Sequence, residues 1–258
     1  MTAGRMSTLR DGACLAVGTL TVVRVPPPSR TDTQVARVAM LMAPAVGLIP
    51  AVIAGVVVWA AHAVGLAPFV VAALAVASTA LTTRGLHLDG LADTADGLGA
   101  SYDRAKALDV MRRGDLGPAG GVTLVLVLLG QVACLAQIAG APGGLAVVLA
   151  VGVAVVAGRT TLPVLCTRGV PNARVSGLGA TVIGTVPRVG TAIVVALVLA
   201  AAWWAAGPSG AGAVLLSICA AAVLAWRCVA RLGGLTGDVL GAGVEIGTLS
   251  ALLVLAAG

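Results

Sequence analysis

The chain has 258 residues, of which 59% are hydrophobic and only 10% are charged, and its mean hydropathy is +1.06. A soluble domain carries about 25% charged residues, so the composition excludes an ordinary water-soluble protein and predicts an integral protein of a lipid bilayer. The net charge is +6, but Phe and Tyr occur once each, so nucleic-acid binding is not expected. The five cysteines show no C-x-x-C spacing, and neither a zinc site nor a disulfide framework is indicated.

Seven apolar segments predict the membrane-spanning helices, since a span needs about 20 mainly apolar residues. They cover residues 37–61, 68–83, 118–139, 145–166, 189–206, 212–229 and 238–257. The predicted fold is therefore all-α: a polytopic integral membrane helical bundle of about seven transmembrane helices. We expect a single domain, residues 1–258.

The basic residues predict the orientation of these spans, because Lys and Arg near span ends are retained in the cytoplasm. All sixteen fall on one side of the predicted bundle, whereas the connectors around His62, Pro142 and Pro208 contain none. An odd number of spans and a cytoplasmic N-terminus follow. Residues 1–36 are then a cytoplasmic or interfacial segment of a protein of the cytoplasmic membrane, and residues 84–117 form a cytoplasmic connector.

That connector is unusually acidic, because six of the ten acidic residues lie between Asp89 and Asp115. On a helix Asp89, Asp93 and Asp96 stand at i, i+4 and i+7, so the three carboxylates share one face. Such carboxylates repel one another unless a cation lies among them. Oxygen ligands suit Mg²⁺, which commonly keeps substrate phosphates in its shell. The spacing predicts a Mg²⁺ site for phosphoryl transfer.

Two arginines and a further aspartate follow this helix. Arg112 and Arg113 are candidate phosphate ligands, since the arginine fork fits phosphate oxygens. Asp109 and Arg113 stand at i, i+4 and predict an ordinary ion pair. Asp115 lies beside the glycines that open the next span, and its function stays open. No P-loop sequence occurs anywhere in the chain.

A second acidic site is predicted near the C-terminus. Asp238 and Glu245 stand at i, i+7 and share one face of the last predicted span. A charged side chain within a span is costly and is functional by default, so Glu245 should face the bundle interior. Arg159, which lies inside another predicted span, is the natural cationic candidate to accompany it.

Three motifs of this sequence resemble the cobalamin synthase family of adenosylcobinamide-GDP ribazoletransferases. They are HLDGLADTADG at 87–97, Gly-Asp-Leu-Gly-Pro at 114–118 and LGGLTGDVLGA at 232–242, and the likeness extends over nearly the whole chain. One departure is that many members read Asp-Ser-Arg-hydrophobic-Gly where this chain has Arg113-Gly114-Asp115-Leu116-Gly117. The acidic and the basic residue of that motif therefore occupy exchanged positions in this chain.

The resemblance implies a Mg²⁺-dependent membrane enzyme that joins adenosylcobinamide-GDP to alpha-ribazole or its 5'-phosphate and releases GMP, with its active site facing the cytoplasm. Asp89, Asp93 and Asp96 would hold the metal. Arg112, Arg113 or Arg159 would bind the phosphates. The group that accepts the hydroxyl proton stays open among Asp96, Asp115, Asp238 and Glu245. Whether the chain forms a homo-oligomer or associates with other cobalamin-assembly enzymes also stays open.

Two other functions compete with this interpretation. A membrane enzyme that joins a CDP-activated lipid to an alcohol also uses a helix with Asp-Gly, but its pattern continues with Ala-Arg where this chain has Ala92-Asp93. An ion-coupled transporter could use Asp238 and Glu245 as a relay. It would need no triple-Asp face, and the sequence has no visible inverted repeat.

Overall fold

A computed structural model describes residues 3–141 and 144–258, and this part of the chain is helical without a named strand. The eleven helices are α1 (Ala3–Leu20), α2 (Thr33–Val46), α3 (Leu48–Ala63), α4 (Pro68–Thr82), α5 (Leu86–Ala100), α6 (Arg104–Arg113), α7 (Pro118–Ala139), α8 (Leu145–Leu165), α9 (Leu178–Val182), α10 (Arg188–Leu232) and α11 (Gly237–Ala257). The all-α prediction is confirmed.

The helices match the apolar segments closely, and they make the chain a multi-pass membrane protein. Five stretches are long and apolar enough to cross a membrane: Thr33–Ala63, which is α2 with α3, and α7, α8, α10 and α11. The count rises to six if α4 and α5 are taken as one bent span. The number of seven spans and the side on which the N-terminus lies stay predictions.

The longest helix, α10, does not cross the membrane as one straight rod. A straight helix of its 45 residues would be about 68 Å long. Yet Val186, just before α10 begins, pairs with Thr167. Leu235, just after α10 ends, pairs with Asn172. Five residues of chain reach at most about 18 Å, so α10 must double back.

The reversal occurs at Ala206 and Gly207, whose φ/ψ angles are −142°/20° and 58°/−145°. A positive φ is open to glycine without strain, and Pro208 follows, which cannot continue the hydrogen bonding of the preceding turn. Two helical segments therefore replace one, as the predicted spans 189–206 and 212–229 require.

The core of the bundle is formed by α8, α10 and α11, which pack on one another. Small residues let the backbones approach: a Cβ atom on Gly158 of α8 would lie 2.7 Å from the carbonyl oxygen of Val244 in α11. Such close contacts are the usual way in which membrane helices associate. Large apolar side chains such as Trp59, Leu126 and Leu197 remain exposed on the outside, where lipid covers them.

The arginine-bearing connectors meet at one end of the bundle. Four arginine side chains bind backbone oxygens of other connectors there: Arg37 that of Thr185 at 3.2 Å, Arg84 that of Gly18 at 2.9 Å, Arg104 that of Ala173 at 3.4 Å and Arg231 that of Ser101 at 2.7 Å. At the other end, the backbone N–H of Gly144 donates to His62 and Gln137 donates to the backbone oxygen of Ala256. This grouping agrees with the charge pattern of the sequence. Pro142 lies outside the described residues.

The acidic helix α5 turns away from the preceding helix by 91°. The turn uses Arg84 at φ 55° and Gly85 at φ 68°. If α4 runs across the membrane, α5 lies along the membrane surface at the end of the bundle that carries the arginines. In that arrangement α5 lies outside the spans, where the sequence predicts the connector of residues 84–117.

Cysteine labelling in intact cells tests the doubling of α10. A membrane-impermeant maleimide should label Ser209→Cys from the outside, because the turn of α10 lies at the end of the bundle opposite the arginines. Ala105→Cys, on the exposed side of α6, should react only after the cells are permeabilised. Parent protein with its native cysteines gives the background. Labelling of both positions from the same side would contradict the fold.

Candidate functional site

The site begins at a contact between α5 and α11, where two backbones touch. A Cβ atom on Gly90 would lie 2.6 Å from the carbonyl oxygen of Asp238, and one on Gly241 would lie 3.2 Å from the Cα atom of His87. Only glycine lets the two helices approach this closely. The contact brings residues about 150 positions apart in the sequence to one place.

Three carboxylates gather around this contact. Asp89 is exposed on α5, Asp93 lies one turn further along the same face and is half-buried, and Asp238 is in the first turn of α11. The pKa of Asp93 is raised to about 6, mainly because burial disfavours the charged form and then because the charges of Asp89 and Asp238 repel it. Negative charge is therefore concentrated here.

One cation, Arg174, lies within this group. Its guanidinium Nη1 donates to a carboxylate oxygen of Asp238 at 3.2 Å, and its Nη2 donates to the backbone oxygen of Leu108 at 3.3 Å. Its charge lowers the pKa of Asp93, against the effect of burial. Its Nε is buried and has no hydrogen-bond partner within the described residues.

Sequence reasoning placed Arg174 only in the count of cytoplasmic charges. Its position depends on the segment between α8 and α9, where the backbone N–H of Ala173 donates to the oxygen of Leu235 and that of Leu235 donates to the oxygen of Pro171. This pairing joins segments about 60 residues apart. No local pattern could have predicted it.

Asp96, the third aspartate of the predicted face, is used differently. It is 6% exposed, and its two carboxylate oxygens each accept a backbone N–H, one from Gly117 and one from Gly120, both at 2.8 Å. Those N–H groups open α7, and a carboxylate there satisfies donors that have no partner within the helix. Metal ligation and proton transfer by Asp96 stay predictions, and both of its oxygens already accept hydrogen bonds from this helix end.

The arginines of α6 form no ion pair with the three carboxylates within the described part of the chain. Arg113 binds Asp109 at 2.8 Å, which confirms the ion pair predicted from their spacing. Arg113 and Asp115 line a groove of about 300 Å³ together with Asp96, and none of Asp89, Asp93 and Asp238 lines that groove. Arg112 is exposed next to them. Phosphate binding by Arg112 or Arg113, and proton transfer by Asp115, stay predictions.

Arg159 and Glu245 lie deeper in the bundle. Arg159 is 3% exposed, and its Nη1 donates to the backbone oxygen of Val155 at 3.3 Å, one turn earlier in α8. Glu245 accepts from the side chain of Gln131 at 2.9 Å. The two charged groups make no direct ion pair within the described part of the chain. Gln131, which the sequence analysis missed, is the actual hydrogen-bond partner of Glu245.

The donors around Asp89 fit a hard divalent cation that is completed by a substrate. Within residues 3–141 and 144–258, no three His, Cys, Asp or Glu side chains converge as a ready metal site. Mg²⁺ does not need one, because it is commonly held by one or two carboxylates with waters and substrate phosphates as the remaining ligands. Asp89 and Asp93, on one face of α5 and beside a further carboxylate, are the residues suited to that arrangement.

Removal of the Asp96 carboxylate tests its structural function. Asp96→Ala should lower the melting temperature of the detergent-solubilised protein, since the loss of a helix cap costs about 1–2 kcal/mol and two N–H groups of α7 lose their partner. Asp109→Ala is the matched control and should have little effect, because exposed ion pairs contribute about 0–1 kcal/mol. An unchanged melting temperature for Asp96→Ala would contradict the cap.

Comparison with known proteins gives a consistent family assignment. The family model described as cobalamin-5-phosphate synthase matches residues 12–256. Three curated relatives are each named adenosylcobinamide-GDP ribazoletransferase. One from a Nocardioides species is 43% identical over 96% of this chain and 100% of its own length. One from Frankia casuarinae is 38% identical over 92% of this chain and 91% of its own length. One from Citrobacter koseri is 38% identical over 70% of this chain and 72% of its own length.

No solved structure matches the chain, so the comparison rests on sequence. The family model spans the two parts of the chain that meet at Gly90 and Asp238. The chain therefore belongs to the cobalamin-5-phosphate synthase family.

Proposed function

We propose that this chain is an adenosylcobinamide-GDP ribazoletransferase. It would join adenosylcobinamide-GDP to alpha-ribazole, or to the 5'-phosphate of alpha-ribazole, and release GMP. The observation that carries the proposal is the convergence of Asp89, Asp93, Asp238 and Arg174 where α5 meets α11, in a chain whose relatives bear that name.

The reaction is a phosphoryl transfer. A ribose hydroxyl oxygen of ribazole forms a bond to the phosphorus on the cobinamide side of the pyrophosphate. The bond from that phosphorus to the bridging oxygen breaks, and the bridging oxygen leaves with GMP. The hydroxyl proton must pass to a base. Catalysis of this kind depends mainly on positioning and on the stabilisation of negative charge.

Asp89 and Asp93 are the proposed ligands of Mg²⁺. They are one helical turn apart on the same face of α5, and the raised pKa of Asp93 reflects burial and the like charges beside it. A bound Mg²⁺ would neutralise charge on the pyrophosphate and on the leaving GMP. Asp96 is left out of the set, because both of its oxygens accept N–H groups of α7.

Asp238 is the proposed proton acceptor. Among the four candidates, it is the one carboxylate that lies beside Asp89 and Asp93 without being committed to a helix cap. Asp115 lines the other groove, and Glu245 lies seven residues further along α11, about 10 Å deeper at 1.5 Å per residue. A general base must be within hydrogen-bond reach of the proton that it removes.

Arg174 is the proposed phosphate ligand. Its guanidinium already lies among the carboxylates through Asp238, and its side chain is partly exposed beside them. Arginine forms paired hydrogen bonds with phosphate oxygens. Arg112, Arg113 and Arg159 form no ion pair with the three carboxylates within the described residues and are kept only as second candidates. The active site would face the cytoplasm, where the arginine-bearing connectors are expected.

One assay tests the function. The purified protein in detergent or liposomes is given adenosylcobinamide-GDP, alpha-ribazole and Mg²⁺, and GMP release is followed with and without EDTA. We expect GMP that depends on both substrates and disappears with EDTA. A folded preparation that releases no GMP would contradict the proposal, and GMP release that is insensitive to EDTA would contradict the metal.

In the same assay Asp89→Asn and Asp93→Asn should lower kcat by about 100-fold or more, because each removes a charge that stabilises the reacting phosphates through the metal. Both variants should insert into the membrane and melt like the parent protein. Asp109→Asn is the matched control on the neighbouring helix and should stay active. Near-normal turnover of either α5 variant would remove that residue from the metal site.

A further inference from the structure

A cavity of about 160 Å³ opens directly beside the three carboxylates. Asp89 and Asp238 form part of its wall, together with the backbone of Gly90 and Gly237. The remainder is largely apolar and comes from six helices, α1, α2, α5, α8, α9 and α11. Its apolar side chains include Leu20, Met40, Leu162, Val182 and Leu240. The proposed chemistry accounts for the carboxylates but not for this apolar volume.

The lining of the cavity selects among the parts of the two substrates. The corrin ring is far too large for about 160 Å³. Guanine presents several donors and acceptors at its edges, and a buried polar group without a partner costs about 1–3 kcal/mol. The base of ribazole is a dimethylbenzimidazole, a flat bicyclic ring with two methyl groups and a single free ring nitrogen. It is apolar enough and small enough for this cavity.

We propose that this cavity binds the bicyclic base of ribazole and thereby orients the ribose toward Asp89 and Asp238. The inference rests on the proposed function, because it assigns a binding site to one of its two substrates. The ring buries its faces and methyl groups against Leu162, Val182 and Leu240. Burial of apolar surface contributes about 25 cal/mol for each Å². The sugar then leaves the cavity at the end where the carboxylates lie.

His87 gives independent support for a ligand in this cavity. It lines the cavity, it is 2% exposed, and neither of its ring nitrogens has a hydrogen-bond partner within the described residues. Buried polar atoms nearly always have a partner. A neutral imidazole has one N–H donor, and the free ring nitrogen of the base is an acceptor. Because both ring nitrogens are enclosed in this structure, the imidazole turns toward the cavity to make this hydrogen bond.

Steady-state kinetics with each substrate varied separately tests the assignment. Val182→Phe fills the cavity, and Leu178→Trp adds bulk at a lining residue that is 55% exposed, where the fold tolerates change. Both should raise the KM for alpha-ribazole by about 10-fold or more. The KM for adenosylcobinamide-GDP should change by less than about twofold, since that substrate does not enter the cavity.

The matched control is Val198→Phe, in a separate apolar cavity of about 410 Å³ between α2, α8 and α10. It should leave both KM values unchanged. A benzimidazole riboside without the two methyl groups adds a readout that misfolding cannot imitate. The KM of Val182→Phe for this smaller riboside should be much closer to the parent value than its KM for alpha-ribazole, because the smaller base fits the reduced space.

The outcomes separate the two proposals. A parent protein that makes no GMP overturns the proposed function. The binding site alone is overturned if the parent makes GMP but Val182→Phe and Leu178→Trp leave the KM for ribazole unchanged. It is also overturned if these two variants raise the KM values of both substrates equally. A raised KM for ribazole without recovery by the smaller base also overturns it.

Discussion

The backbone contact between α5 and α11 is the constraint on which the site depends. Gly90 meets the carbonyl of Asp238, and Gly241 meets the backbone of His87, so neither helix can carry a side chain there. Every group in the proposed mechanism lies on one of these helices or is tied to them. α11 is itself held in the core against α8 and α10. A packed core of long apolar helices thus fixes the position of the helix that carries the acidic residues.

The contact brings together more negative charge than the neighbouring cation of the protein neutralises. Asp89, Asp93 and Asp238 are close enough for two of them to raise the pKa of the third, and Arg174 is the cation that pairs with one of them. Repulsion of this kind is unfavourable in a folded protein unless a further cation is supplied. A Mg²⁺ ion that arrives with the pyrophosphate would relieve it. The residual negative charge is therefore consistent with a site completed by its substrate.

Composition and periodicity predicted the fold well, because a bilayer imposes strong rules on the sequence. Apolar length predicted the long apolar helices, and the reversal of α10 followed from Gly207-Pro208 in a break between two apolar segments. The spacing of Asp89 and Asp93 on one helix face was also readable, since helix geometry is local. Asp238 was recognised as a second acidic site, and the resemblance to a known family joined it to the first.

The remaining parts of the site depend on long-range contacts that no local pattern encodes. Asp96 shares the spacing of Asp89 and Asp93, yet its partners are N–H groups more than 20 residues further along the chain. Arg174 reaches Asp238 because its segment pairs with Leu235. Arg159 and Glu245 were expected together, and their charges do act on each other, but the direct hydrogen bond to Glu245 comes from Gln131. In each case contacts between distant segments of the chain decided what a side chain touches.

The most direct test of the account is the turnover of Gly90→Ala. The added Cβ atom would lie 2.6 Å from the carbonyl oxygen of Asp238, so α5 and α11 must separate, and a displacement of about 1 Å at a reacting centre costs about 100-fold in rate. Gly121→Ala is the control, since its Cβ atom meets nothing closer than 3.9 Å. The account predicts that kcat for GMP release falls by about 100-fold in Gly90→Ala and changes little in Gly121→Ala. Equal turnover of the two variants would contradict it.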